Sequence, residues 1–220
     1  MQIQWIESQF FDPGKIENAM IIIHHTGSTN GKINSFEGTI NWFKPAVWRS
    51  TNQASAHYII AREERPIVQM VRDEDTAWHA GKSSWVIRGQ LRESLNKWSI
   101  GIELQGDGQI IRYTDFQYEA LIWLARQKME QFNIPVELIR GHQEVSPWKP
   151  DPGPLFDWDR FKRGLTSVSV PGADIPPGEY VDEDGDGIVY IDETDDVYIP
   201  AGRERGLLGK LLDFLASLFK

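Results

Sequence analysis

The chain has 220 residues, 40% of them apolar and 25% charged, and it contains no cysteine. That length holds one substantial core with room for a small appendage, and the lack of cysteine excludes disulfides and thiolate ligands, leaving histidine and carboxylate for any metal. The net charge of −9 is concentrated beyond Thr166, where 12 Asp and Glu face 4 Lys and Arg, and a chain with no basic stripe is not expected to bind nucleic acid.

Met1 to Glu7 carries neither a basic start nor a long apolar run, so no signal peptide is expected. No stretch reaches the ~18 uninterrupted apolar residues of a membrane span. Ala19 to Ile23 is a continuous apolar run, the pattern of a strand buried on both faces, and it leads into His24-His25. Ser35 to Phe43 predicts a short helix. Ala56 to Ala61 and Ile67 to Val71 are strand-like, joined by the turn-like Arg62-Glu63-Glu64-Arg65-Pro66. Ile100 to Leu104 is a further short strand. Thr114-Asp115-Phe116-Gln117 is a capping box. It opens a helix to about Phe132 that places Tyr118, Leu121, Ile122, Ala125, Met129 and Phe132 on one face. Val136 to Ile139 reads as a strand feeding into His142. Strands alternating with helices predict an α/β fold, a mixed central β-sheet flanked by helices. Near Thr166 the composition turns to Ser, Pro and Gly. The expected organisation is a catalytic domain at 1–165, a linker at 166–179, an acidic segment at 180–200 and an amphipathic helix at 203–220.

Two distant segments carry the chemistry. One is the apolar strand ending in His24-His25-Thr26; the other is Gly141-His142 followed by Lys149-Pro150-Asp151-Pro152-Gly153-Pro154. A strand ending in His and a loop carrying His and then Asp supply three ligands, the number a catalytic zinc takes from protein while leaving a fourth position open. Together with Ser55-Ala56-His57-Tyr58, Asp75-Thr76-Ala77-Trp78-His79-Ala80-Gly81 and Ser99-Ile100-Gly101-Ile102-Glu103-Leu104, these segments occur in one order. That ordered set resembles the zinc N-acetylmuramoyl-L-alanine amidases, which share a fold with peptidoglycan recognition proteins and phage amidase endolysins. The resemblance covers roughly Ala19 to Phe161. It implies Zn2+ held by His24, His142 and Asp151, with Glu103 as catalytic base and Lys149 as oxyanion stabiliser. An Asp rather than a Cys as third ligand is similar to the bacterial branch that includes the cytosolic recycling amidase. The resemblance also implies that Trp78 and His79 lie at the rim of a substrate groove. His25, pointing to the face opposite His24, reads as structural.

The tail holds two further motifs. Asp182 to Glu193 matches the spacing of a calcium loop, with Asp182, Asp184 and Asp186 at positions 1, 3 and 5, Gly187 at 6 and Glu193 at 12. Pro176-Pro177-Gly178 excludes an ordinary helix entering it, and an acidic linker with Asp-Gly turns is the competing reading for a Ca2+ site. Gly206 to Lys220 is sharply amphipathic and roughly 22 Å long as a helix, suited to a membrane interface or to docking on protein.

The expected function is therefore hydrolysis of the bond between N-acetylmuramic acid and L-alanine in peptidoglycan. The appended C-terminal segment and the missing signal peptide point to a phage or prophage endolysin, made in the cytoplasm and acting on the wall after release. The alternatives are a cytosolic recycling amidase acting on soluble muropeptides and a non-catalytic peptidoglycan-binding module.

Overall fold

Six strands make the central sheet, in the spatial order Ile3–Trp5, Ile67–Gln69, Tyr58–Ile60, Ser99–Leu104, Met20–His25, Ile139–Gly141. The last four are parallel to one another, whereas Ile67–Gln69 runs antiparallel to Tyr58–Ile60 and carries Ile3–Trp5 parallel at the edge. The sheet is thus mixed, as expected. The computed structural model describes residues 1–44 and 53–166 in full, and beyond them the backbone of four strands, Val168–Ser169, Gly178–Val181, Ile188–Ile191 and Asp196–Tyr198.

The sheet centre follows from the apolar runs. Met20, Ile21, Ile22 and Ile23 are all 0% exposed, because Met20–His25 lies between Ser99–Leu104 and Ile139–Gly141 and is covered on both faces. Each such side chain contributes about 1.5–3 kcal/mol by leaving water. The helix Phe36–Phe43 starts where Ser35 Oγ accepts the Gly38 N–H at 3.0 Å. It buries Phe36, Ile40 and Phe43 in a cluster with Ile59, Ala61, Val68 and Met70.

The long helix Asp115–Phe132 has the reciprocal capping box expected at Thr114 and Gln117 and ends at Asn133 in the left-handed region, φ 54°. Its buried stripe is rotated from the apolar one read in the sequence: Gln117, Leu124 and Lys128 are buried, while Ile122, Met129 and Phe132 are only half-buried. Partners explain the rotation. Gln117 Nε2 donates to Gln105 O at 2.9 Å and Lys128 Nζ to Asp73 Oδ2 at 2.7 Å, so both polar side chains enter the interior satisfied.

Two local expectations are corrected. Val136–Leu138 is a 3-10 turn and the strand is confined to Ile139–Gly141. Pro135 sets φ at −74° and its carbonyl accepts the Leu138 N–H at 2.9 Å, closing a turn before the strand can start. An unforeseen hairpin pairs Ser84–Ile87 with Gln90–Glu93. Its two loop residues, Arg88 and Gly89, both have positive φ. That is the turn a two-residue hairpin favours, with Arg where Asn or Asp is usual.

Two compact units divide between Asp157 and Trp158. The second contains the helix Trp158–Thr166 and an antiparallel sheet in the order Val168–Ser169, Asp196–Tyr198, Ile188–Ile191, Gly178–Val181. Asp182, Asp184, Asp186 and Glu193 of the expected calcium loop, and the expected amphipathic helix at 203–220, lie outside the described residues. Among the described residues, no helix is long and apolar enough to cross a membrane.

Candidate metal centre

Parallel strands deliver the site at their carboxyl ends, where open α/β sheets usually place ligands. His24 is the fifth residue of Met20–His25, and Glu103 is its register partner on the adjacent Ser99–Leu104. On the other side Ile23 pairs with Gly141, so His142, the next residue, enters beside His24. His142 opens a single helical turn whose start is held by Glu144 Oε2, accepting the Gly141 N–H at 2.7 Å. Asp151 arrives on a loop fixed from several directions. Its carbonyl accepts the Gln143 N–H at 2.9 Å, Tyr113 Oη donates to Pro152 O at 2.7 Å, and Leu155 N donates to Gly108 O at 3.0 Å. A Cβ on Gly108, where φ is +56°, would collide with the Pro152 carbonyl, so this close approach of two loops requires glycine.

Three side-chain atoms converge. His24 Nδ1 lies 3.0 Å from His142 Nδ1, and each lies 2.9 Å from Asp151 Oδ2. The three residues are 2–6% exposed. Second partners assign the protons. His142 Nε2 lies 3.1 Å from the Ala80 carbonyl, which can only accept, so Nε2 carries the hydrogen and Nδ1 presents a lone pair. His24 Nε2 lies 2.9 Å from His79 Nδ1. With His24 also protonated at Nε2, two imidazole lone pairs and a carboxylate face one another with no donor between them. That arrangement suits a cation: ligand atoms about 2.0 Å from a tetrahedral centre are roughly 3.3 Å apart. Among the described residues, these three are the only cluster of histidines and acids close enough to hold a metal ion.

The electrostatics agree with the geometry. Burial pushes His24 down to about 4, against the raising influence of Asp151, so it is neutral at pH 7. Asp151, in spite of its burial, is held well below the usual carboxylate range by the His142 and His24 rings beside it. Glu103 is the counterexample. Burial, then the Asp151 charge, pushes it well above the usual range, while the Lys149 ammonium pulls the other way. Its Oε2 is buried without a hydrogen-bond partner.

The remaining predicted residues separate. Lys149 is exposed, yet its charge is felt at both His24 and Glu103. Trp78 does not stand free at a rim: it stacks on Phe10 at 5.9 Å between ring centroids and donates Nε1–H to Asp12 Oδ2 at 3.1 Å. His79 is buried behind His24, because its ring is bonded inward and not toward solvent. His57 accepts the Gly101 N–H at Nδ1, 3.0 Å away, a structural role. His25 is half-buried on the opposite face, and both ring nitrogens are shielded without a partner. Sequence reasoning missed Trp148, which is 73% exposed immediately before Lys149, and it missed the Ala80 carbonyl, since a backbone acceptor leaves no trace in residue type.

Residues 14–154, well over half of the chain, match the family model described as N-acetylmuramoyl-L-alanine amidase. Relatives include the 1,6-anhydro-N-acetylmuramyl-L-alanine amidase AmpD of Enterobacter cloacae, 40% identical over 111 residues, covering 50% of this chain and 57% of the relative. AmpD of Salmonella typhimurium is 42% identical over 118 residues, covering 53% and 59%. The chain thus spans a little over half the length of these curated relatives. A crystal structure of AmpD superposes with a TM-score of 0.66 at 29% identity, covering 75% of this chain and 95% of that one. An endolysin amidase of Clostridium intestinale superposes with a TM-score of 0.52 at 21% identity, covering 74% and 95%, a likeness of fold. With its site at the ends of parallel strands and its family match spanning that site, the chain belongs to the N-acetylmuramoyl-L-alanine amidase family.

Proposed function

We propose that the chain is a zinc-dependent amidase that cleaves the bond between the lactyl group of N-acetylmuramic acid and L-alanine, and that it acts on soluble anhydro-muropeptides. The observation that carries the reaction is the set of three convergent acceptors, His24 Nδ1, His142 Nδ1 and Asp151 Oδ2, beside the unpartnered Glu103 Oε2. Zinc bound by these three residues supplies Lewis acidity, polarising a carbonyl and bringing the pKa of water toward ~7.

Glu103 is the proton carrier. Its Oε2 has no competing donor, and its raised pKa brings it closer both to water and to the departing amine than an ordinary carboxylate would be. It takes a proton from the attacking water and hands it to the nitrogen of L-alanine as the amide breaks. Lys149 is exposed and its field reaches Glu103, suited to stabilising the oxyanion. His24, neutral by burial, acts as ligand only.

Support for the anhydro substrate comes from the AmpD relatives at 40–42% identity. AmiD of Escherichia coli, whose structure holds anhydro-N-acetylmuramic acid-L-Ala-D-γ-Glu-L-Lys, adds to it at 28% identity and a TM-score of 0.56. The endolysin role expected from the appended segment has less support, since the endolysin neighbour at 21% identity shares the fold alone. The deciding experiment compares anhydro-muropeptides with intact sacculi as substrates for zinc-loaded protein. Release of L-Ala peptides from the soluble substrate, abolished in Glu103→Ala, is the expected result. Faster release from sacculi would restore the endolysin reading, and release from neither would end the amidase reading.

A further inference from the structure

The segment His79-Ala80 touches both imidazoles of the metal centre from behind. Ala80 does so through its carbonyl, on His142 Nε2, and His79 through its side chain, on His24 Nε2. Asn96 clamps this segment: its Oδ1 accepts the His79 N–H at 3.1 Å and the Ala80 N–H at 2.6 Å. Two consecutive residues thus touch two side chains that lie 118 positions apart in the chain.

The proton assignment runs inward from a fixed end. The Leu95 carbonyl can only accept, and Ser99 Oγ donates to it at 2.6 Å. With its one hydrogen committed there, Ser99 Oγ can only accept from His79 Nε2, 3.2 Å away. A neutral His79 with a hydrogen on Nε2 presents a lone pair at Nδ1. His24 must then donate from Nε2, and its own lone pair is turned to Nδ1, toward Asp151 and His142. The ring of His79 is also held sterically. Gly101, on the strand beneath it, leaves the space that ring fills, since a Cβ there would overlap His79 Cγ and Nδ1.

We infer that His79 is a positioning residue of this centre: through the chain Leu95 O, Ser99 Oγ, His79, it fixes the tautomer and ring angle of His24 that leave Nδ1 free for the metal. The inference rests on the metal-amidase reading above. A residue that orients a ligand in this way typically contributes 10–100-fold to metal affinity. Gly101→Ala, which displaces the ring without removing a polar group, is expected to weaken zinc in the same direction as removal of the ring itself.

The test uses the full chain. Zinc affinity is measured by competition with a chromophoric chelator for the wild type, His79→Ala, His79→Gln and Gly101→Ala. The same proteins are then loaded with cobalt, and the exchangeable ring N–H signals of His24 and His142 are followed by paramagnetic NMR. The expected result is a roughly 10–100-fold loss of zinc affinity in His79→Ala. The His24 N–H should exchange faster, the His142 N–H on the Ala80 carbonyl should be unchanged, and affinity should recover in part in His79→Gln, whose amide oxygen can accept the same hydrogen. Equal zinc affinity in the wild type and His79→Ala would overturn the inference, as would both N–H signals shifting together, which is the mark of general loosening. Binding is read apart from hydrolysis. An affinity difference without any amidase activity would sink the enzymatic reading and leave the role of His79 standing.

Discussion

Two buried polar clusters sit in the same compact unit and are built on opposite rules. Around Asp73, donors meet acceptors: Oδ1 takes the Tyr58 hydroxyl at 2.8 Å, Oδ2 takes Lys128 Nζ at 2.7 Å, and the backbone carbonyl takes Asn18 Nδ2 at 2.9 Å. Around Asp151, acceptors meet acceptors: two imidazole lone pairs and a carboxylate share a space about 3 Å across, with the Glu103 carboxyl unpartnered beside them. Burying polar groups is tolerable when they are paired and costly when they are not. The Asp73 cluster is therefore satisfied within the fold, whereas the Asp151 cluster carries an unmet demand that suits a cation.

The comparison breaks most visibly at Glu103. Glu103→Gln keeps the shape and removes the exchangeable proton, so the hydrolysis rate should fall by about 10²–10⁴-fold with zinc content unchanged by metal analysis. A variant that lost zinc in equal measure would make Glu103 a ligand support instead of a proton carrier. Asp73→Ala should do the reverse. Leaving Lys128 buried without its partner costs about 3–5 kcal/mol, read as a lower urea midpoint, while the zinc affinity of the folded protein stays at the wild-type value. Third, chelating the metal should lower the melting temperature, because zinc at 100 times its Kd stabilises the native state by about 2.7 kcal/mol. The same chelator should leave the melting of Asp151→Ala unmoved. A chelator effect that persisted in Asp151→Ala would relocate the metal.

The smallest effect tests a group that belongs to neither cluster. Lys15 Nζ contacts Asn18 Oδ1, the Ser99 carbonyl and His57 Nε2 at 2.8–2.9 Å. Since His57 Nδ1 accepts from Gly101, Nε2 carries the hydrogen and donates it to the Asp75 carbonyl at 3.2 Å. Burial, opposed by Asp73 and Asp75, brings Lys15 down to about 7 from 10.5. Between those values the unfolded chain binds the extra proton, so stability should rise with pH from about 7 toward 10 and the penalty should be complete below 7. Denaturant titrations at pH 7 and 9 check this. Lys15→Met should remove the slope, whatever offset it adds, and an unchanged slope would assign the pH dependence elsewhere.

Several elements were readable from local pattern. The apolar run before His24, the Ser35 start of the short helix and the Thr114–Gln117 capping box each depend on neighbours within four residues, and each took its expected form. The three residues that converge, His24, His142 and Asp151, were nameable because a strand ending in His and a His-to-Asp loop form an ordered pattern that resembles a known family. What failed locally did so for local reasons as well: Pro135 closed a turn where a strand was expected, and Arg88 took a loop position where Asn or Asp would have announced a hairpin.

Residue types and their spacing determined which groups this protein has available: no thiol, five histidines, a carboxylate on a buried strand and a lysine beside the third ligand. Tertiary structure alone decided which of them face one another. His24 and His25 are adjacent in the chain, yet the strand's alternation sends one into the metal centre and the other to the opposite face. His79, expected at a groove rim, became the support of His24 because the Gly101 backbone left room for its ring. The buried helix stripe turned toward Gln117 and Lys128 because Gln105 and Asp73 were waiting for them. Side chains 55 to 127 positions apart meet only when parallel strands fall into register, and the direction of a lone pair is set by the partner on the far side of the ring.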